Sequence, residues 1–330
     1  MEKIIGIIDT HLRASNPKSR LDNFPETMKR KIKWVYGYAE EIGARAVLHG
    51  GDWTESPDIS NSYLSEIMEI VSSSTVPTFS VLGNHDVYGQ NPETFKKTPL
   101  GIAVSSGAFR LLNPNTPVFI GGFAITGSHY FAEIDGNLKS AYIDNTVVDN
   151  FVNINVVHGF LDDHRWMDGV KHTVISDIAD FVKSDITITG HIHSGYGIIE
   201  HDGKIFCNPN ALARTTASVG DVNNTVQILE ITIADDGSFY AELIPLPDGI
   251  VESADKVLDR DKLEQEKANK KRLETFISSI NAEIDVVGSA FNMYDALDNI
   301  AKENKIDGHI KKLAIEQLSI AEEQGKGGIE

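Results

Sequence analysis

Five apolar segments of this chain each run straight into a cluster of Asp, Asn or His. That recurrence limits the fold more than any other feature. Asp9-Thr10-His11 follows Ile4–Ile8, Gly50-Gly51-Asp52 follows Ala46–Leu48, and Gly83-Asn84-His85-Asp86 follows Pro77–Leu82. His158-Gly159 follows Phe151–Val157, and Gly190-His191-Ile192-His193 follows Ile186–Thr189. Short uninterrupted apolar runs suit strands buried on both faces. In open α/β sheets, ligands bind in the crevice beyond the carboxyl ends of the strands. Five polar clusters at five strand ends therefore converge on one place.

The intervening segments read as helices. Met28, Ile32, Val35, Ala39 and Ile42 recur at three- and four-residue spacing, and Gly43 is placed to end that helix. Tyr63, Leu64, Ile67, Met68 and Val71 mark a second. The resulting β-α-β-α-β order implies right-handed crossovers and a largely parallel sheet. Beyond it the pattern shifts toward antiparallel strands, with Val118–Thr126 as one strand. Hairpins are expected at Ile198–Cys207, turning at Asp202-Gly203, and at Val226–Leu243, turning at Asp236-Gly237. The expected class is α/β, with two sheets packed face to face and helices outside. After Pro245-Leu246-Pro247-Asp248-Gly249 the chain turns rich in Lys, Glu, Gln and Leu. A boundary near residue 250 is expected, with a main domain at 1–250 and a mostly helical appendage at 251–330.

Composition removes several function classes. The chain has 330 residues, 41% hydrophobic and 24% charged, enough for a large core. No apolar run approaches the roughly 20 residues that span a bilayer. Met1-Glu2-Lys3, followed at once by Ile4, is too short for a signal peptide. Cys207 is the only cysteine, so neither a disulfide nor a cysteine-ligated zinc is expected, and a reducing, cytoplasmic setting is the default. No Gly-x-x-x-x-Gly-Lys-Ser/Thr loop is present for ATP. A formal charge of -18 opposes a polyanionic partner. Locally, however, Arg13, Lys18, Arg20, Lys29, Arg30, Lys31 and Lys33 outnumber Asp22 and Glu26. Such a stretch attracts nucleic acid or is a solvated helix face.

The clusters carry a particular chemistry. Mixed carboxylates and imidazoles suit manganese, zinc or iron better than all-oxygen calcium or magnesium shells. The i, i+2 spacing of Asp9 with His11 and of His191 with His193 sets each pair on one side of an extended segment. Glycines before Asp52, Asn84 and His191 permit tight turns and close backbone approach. So many ligands exceed the need of one ion and match two cations about 3.5–4 Å apart, bridged by a carboxylate.

In this order the motifs resemble the calcineurin-like metallophosphoesterase superfamily, over roughly residues 1–215. Within it the chain is most similar to SbcD-type DNA-repair exonucleases, including phage-encoded relatives. Asn16-Pro17-Lys18-Ser19-Arg20-Leu21-Asp22 resembles their basic loop, and Asn208-Pro209-Asn210-Ala211-Leu212-Ala213-Arg214 resembles their Asn-Pro-Gly-Ser-Leu-x-Arg segment. The resemblance implies a first metal held by Asp9, His11, Asp52 and His193, and a second by Asp52, Asn84, His158 and His191. It implies that His85 faces the scissile phosphate and assists the leaving oxygen, while a two-metal-activated hydroxide attacks the phosphorus in line from the opposite side. It further implies manganese, DNA as substrate, a homodimer through the Tyr63–Val71 stripe or its neighbour, and a separate SbcC-like coiled-coil ATPase partner. Glu55 departs from the histidine those nucleases often carry, and it either orients His85 or is a solvated loop residue.

Arg13, Lys18, Arg20, Trp53, His129 and Arg214 are candidate substrate contacts. Trp53, Tyr88, Tyr130 and Trp166 either stack on bases or pack their loops. His49 reads as a packing residue close to the site, and His164, His172, His201 and His309 as surface histidines. Two other readings stand beside the nuclease. One is a phosphodiesterase or phosphatase acting on cyclic nucleotides or phosphoproteins; the other is a non-enzymatic scaffold.

Overall fold

In the first strand, β1 (Glu2–Ile7), successive isoleucines point to opposite faces. Ile5 and Ile7 join a core that holds the two long helices. Ile4, with Ile8 just beyond the strand, joins a second core between two sheets. Both faces are buried, which is why the run is apolar without alternation. The computed structural model describes residues 1–259 apart from 137–138 and 167–169, together with 261, 264 and 268. Met1–Asp259 form one compact unit and Arg260–Glu330 a second. Of the helical appendage expected at 251–330, all but 251–259, 261, 264 and 268 therefore lies outside the described residues.

Strands β2 (Val47–His49), β3 (Thr78–Ser80) and β4 (Arg110–Leu111) extend from β1 in parallel register. A second sheet takes β5 (Val118–Ile120), β6 (Phe123–Ser128) and β7 (Val152–His158). A separate parallel pair follows, β8 (Leu161–Asp162) with β9 (Thr173–Val174). The second sheet is completed by β10 (Ile186–Gly190), β11 (Gly197–His201) and β12 (Lys204–Asn208). Finally β13 (Gln227–Ile233) and β14 (Phe239–Pro245) return antiparallel to β1. The two orders are β14-β13-β1-β2-β3-β4 and β11-β12-β10-β7-β6-β5.

Helices α1 (Phe24–Glu41) and α2 (Asn61–Ser73) cover the outer face of the first sheet. Helix α1 starts where Asn23 accepts the Glu26 N–H, with Pro25 in the first turn, and Gly43 follows its end at φ 66°. After α3 (Pro99–Ser105), short helices α4 (Ser140–Ile143) and α5 (Ile175–Ile178) close a third core with Val157 and Phe206 outside the second sheet. The architecture is the expected two-sheet α-β-β-α sandwich. No helix among the described residues is long and apolar enough to cross a membrane.

Three expectations need correction. Val118–Thr126 is not one strand but the β5–β6 hairpin, because Gly121 takes φ 55° and turns the chain back. The second sheet is also mainly parallel: β6 with β7, β7 with β10, and β10 with β12. Among the described residues the β6–β7 and β7–β10 crossovers carry only the four-residue α4 and α5, and the β10–β12 connection runs through β11, so no helical period marks them. Of the two surfaces expected to carry a homodimer, the α2 stripe of Tyr63, Leu64, Ile67, Met68 and Val71 is buried in the chain's own core, which leaves its neighbour.

Candidate metal centre

At the carboxyl ends of β1, β2 and β10 the chain turns on residues other than glycine. Asp9, His11, Asp52 and His191 all adopt the left-handed region, at φ 49°, 41°, 53° and 85°. Side chains there cost about 1–3 kcal/mol each, and such strain collects at functional sites. The turns are zipped together by backbone bonds from Asp9 N to Gly51 O (3.2 Å), His11 N to Asp52 O (3.0 Å) and Leu12 N to Trp53 O (2.8 Å). Segment 211–213 braces them further, donating to His193 O, Ile8 O and Asp9 O.

These turns bring all seven sequence-derived ligand candidates together. Donor atoms of Asp9, His11 and His193 lie within 4.8 Å of one another, as do those of Asp52, His158 and His191. His11 Nε2 and His193 Nε2 face each other at 2.9 Å. Asn84 Oδ1 stands 3.2 Å from His158 Nε2 and 3.0 Å from His191 Nδ1. Asp52 Oδ2 lies between the two groups, 3.3 Å from His158 Nε2 and 3.8 Å from His11 Nε2. The other oxygen, Oδ1, accepts the His85 N–H at 2.9 Å. His158 Nδ1 is 2.7 Å from the Gly50 carbonyl; donating there turns the Nε2 lone pair inward, as a metal-binding imidazole requires.

Close approach at these strand ends depends on glycine, as two positions show. A Cβ on Gly83 would sit 1.9 Å from Asp52 Oδ1. One on Gly51, whose φ is 93°, would sit 2.4 Å from His158 Nδ1.

The electrostatics divide the histidines. Burial opposes charge on His11 and His158, yet carboxylates overcome it and lift each to about 9: Glu55, Asp52 and Asp9 for His11, and Asp52 and Asp9 for His158. Burial depresses His191 to about 3, and it lowers His193 as well. Burial pushes Asp9 upward, whereas at Asp52 the positive field of His158 and His11 outweighs burial and holds the carboxyl well below its usual range. Buried carboxylates that draw positive charge, ringed by imidazoles that can exchange their protons for a metal, form a donor set suited to divalent cations.

The structure separates the remaining candidates. Arg13 is half-buried near Glu55 (3.9 Å), and Lys18 is exposed. Trp53 is not a substrate contact: its ring is fully buried, stacked between His49 and Phe109, with Nε1 donating to Ser80 Oγ. Arg20 is buried and bonded to both Asp22 oxygens and to the Arg214 carbonyl. Arg214 in turn directs its guanidinium at the carbonyls of Asn224 and Glu252. His129 is held through Nδ1 by the Leu82 N–H, and burial takes it down to about 4. Much of the basic stretch is thus used internally: Lys29 pairs with Glu26 and Glu66, Arg30 donates to Ile250 O, and Lys31 to Leu212 O.

Two functional neighbours were not legible beforehand. Glu55, left open as a His85 partner or a solvated residue, places Oε2 3.0 Å from His11 Nδ1. Its backbone carbonyl, not its side chain, meets His85 Nδ1 at 2.9 Å. Thr10 Oγ1 joins His49 Nε2 (3.1 Å) to the Trp53 carbonyl (2.9 Å), tying the first two turns together. Only the position of Thr10 between Asp9 and His11 could have flagged it.

Residues 3–195 match the calcineurin-like phosphoesterase family. The chain belongs to that family. Calcineurin-like phosphoesterases work with divalent metals, in keeping with the donor set above. Among solved structures, a dimetal phosphatase from Danio rerio is 12% identical, with 76% of this chain and 97% of that one covered at a TM-score of 0.47. The calcineurin-like phosphoesterase YfkN from Bacillus subtilis is 13% identical (81% and 97% covered, TM-score 0.42). TT1561 of Thermus thermophilus is 10% identical (73% and 98% covered, TM-score 0.45). No curated protein gives a significant match. The chain is a dinuclear metallophosphoesterase by family and by donor set.

Proposed function

We propose that this metallophosphoesterase hydrolyses phosphodiester bonds of DNA, as an SbcD-like exo- or endonuclease of the cytoplasm using manganese. Asp9, His11, Asp52 and His193 would hold one cation, and Asp52, Asn84, His158 and His191 the other. The observation that carries this assignment is Asp52 Oδ2, which stands between His11 Nε2 and His158 Nε2 as a bridging carboxylate must. Bound cations supply Lewis acidity and a nucleophile at neutral pH. The chain's own groups do the rest. Gly50 O and Glu55 fix the rings of His158 and His11, so that their inner nitrogens stay directed at the ligand. His85 is pinned at both ends, its N–H on Asp52 Oδ1 and its Nδ1 at the Glu55 carbonyl. That leaves Nε2 to protonate the leaving oxygen.

The DNA reading rests on the resemblance of the motif series and of the 208–214 segment to SbcD-type nucleases. An SbcC-like ATPase partner and a homodimer belong to the same proposal, and the dimer must use a surface other than the buried α2 stripe. A second reading, a phosphodiesterase or phosphatase for small or protein-borne phosphates, is favoured by the internal pairing of the basic stretch. The deciding assay offers labelled linear and single-stranded DNA, a cyclic nucleotide and a generic phosphodiester with manganese. Nuclease activity lost in Asn84→Ala and His85→Ala supports the first reading. Turnover of the small diesters without DNA cleavage supports the second.

A further inference from the structure

The two sides of the metal centre differ in chemistry. On the side of Glu55, a cavity of about 370 Å³ is lined by the charged Arg13, Glu55 and Asp58 together with Leu12 and Ile59, without an aromatic ring. Beside His158 and His191 stand rings. Tyr130 stacks on His191 with centroids 5.6 Å apart, and Phe160 meets the same imidazole at 6.1 Å. Trp166 lies 5.1 Å from Phe160, and His164 stacks on Trp166 at 5.7 Å. Aromatic surface thus runs without a break from a candidate metal ligand to an indole that is 38% exposed.

Core packing accounts for Tyr130, which lies against the third core, but not for the two rings beyond it. Among the described residues, neither Phe160 nor Trp166 belongs to any of the three apolar cores. Both are nevertheless held in place. The Phe160 N–H donates to Asp135 Oδ2 at 2.8 Å, and Trp166 Nε1 donates to Asp162 Oδ2 at 2.7 Å. The charges alongside are unsuited to phosphate. Asp162 and Asp163 flank the platform, Arg165 is paired to Asp177, and Lys171 to Glu133. Ring faces bordered by carboxylates favour a flat, uncharged, hydrogen-bond-donating group over a second phosphate.

We infer that Tyr130, Phe160 and Trp166 form a stacking platform for the nucleobase of a nucleotide whose phosphate lies at the metal centre. The inference rests on the proposed metal assignment and deepens the nucleic-acid reading by locating a base beside His191. Because stacking needs no particular base edge, the platform confers a requirement for a base without sequence preference.

The test is calorimetric titration of the manganese-loaded full chain, carrying His85→Ala to prevent turnover. The probes are 2′-deoxythymidine 5′-monophosphate and its base-free counterpart, 2-deoxyribose 5-phosphate. The nucleotide is expected to bind about 10-fold more tightly than the sugar phosphate, within the usual range for one stacked base. Trp166→Ala and Phe160→Leu should each remove most of that difference while leaving the sugar phosphate affinity unchanged. Trp166→Phe, which keeps a ring, should retain most of it. Equal binding of the two probes, no binding of either, or equal loss of both in Trp166→Ala would overturn the platform. DNA cleavage is measured in parallel on the unsubstituted chain. Base preference without DNA cleavage counts against the nuclease reading alone; DNA cleavage without base preference counts against the platform alone.

Discussion

Two clusters of charged and polar side chains, each drawn from distant parts of the sequence, are built on opposite terms. In the Arg20–Lys31–Arg214 cluster, donors meet acceptors within the chain. Arg20 takes Asp22 and a carbonyl, Arg214 takes two carbonyls, and Lys31 Nζ takes Leu212 O at 2.7 Å. Burial drives the Lys31 ammonium well below its ordinary pKa. In the Asp9–Asp52–His191 cluster, cation-binding groups face one another instead: two imidazole nitrogens at 2.9 Å, and an amide oxygen within 3.2 Å of two more. Satisfied charge holds a fold together, whereas converging cation-binding groups await a cation. Sequence composition cannot tell these apart, since Arg20 and Arg214 stood as candidate substrate contacts beside the metal ligands.

This contrast requires the two clusters to fail differently. The largest effect belongs to Gly83→Ala, whose Cβ would strike Asp52 Oδ1. Activity should fall at least about 100-fold, as small misplacements of a reacting site do, with the far-ultraviolet circular dichroism unchanged. An active Gly83→Ala enzyme would remove Asp52 from the bridging position. Asp22→Ala should do the converse, leaving buried Arg20 unpaired at a cost of about 3 kcal/mol in denaturant unfolding, with turnover per folded molecule retained. Loss of turnover without loss of stability would merge the two clusters.

Glu55→Gln sharpens the boundary between them. Removing the carboxylate 3.0 Å from His11 Nδ1 should weaken manganese binding about 10-fold by titration of the metal-free protein, with little change in stability. The smallest effect is in pH. Burial alone would raise Asp22, but hydrogen bonds from Arg20 and Thr27 hold it below the ordinary carboxylate value. A depressed pKa contributes stability above the unfolded value of about 3.9, and that contribution disappears as pH falls through the folded value. Acid unfolding of Asp22→Asn should therefore be flatter than that of the unsubstituted chain below about pH 4.

Much of the site was legible because the fold places strand ends side by side. Once the apolar runs ending at Ile8, Leu48, Leu82, Val157 and Thr189 are read as strands, their polar sequels must meet. The glycines were legible too, because only a missing side chain explains their position before each ligand. What escaped was fixed by contacts remote in sequence. The parallel order of the second sheet depends on crossovers with barely a turn of helix. Trp53 follows a metal motif yet points into the core beside Phe109. The role of Glu55 depends on which of two histidines its carboxylate reaches, and nothing in its neighbours decides that.

The left-handed backbone at Asp9, His11, Asp52 and His191 bears on how this lineage can change. At each of the four, glycine would fit the backbone better than the residue the chemistry demands. A copy of this protein freed from hydrolysing anything would gain thermal resilience by drifting to glycine there. Catalytic identity is therefore held at these turns only by continued use. A paralogue recruited as a scaffold should show its change of occupation first at these four positions, while its cores and its Arg20 brace stay as they are.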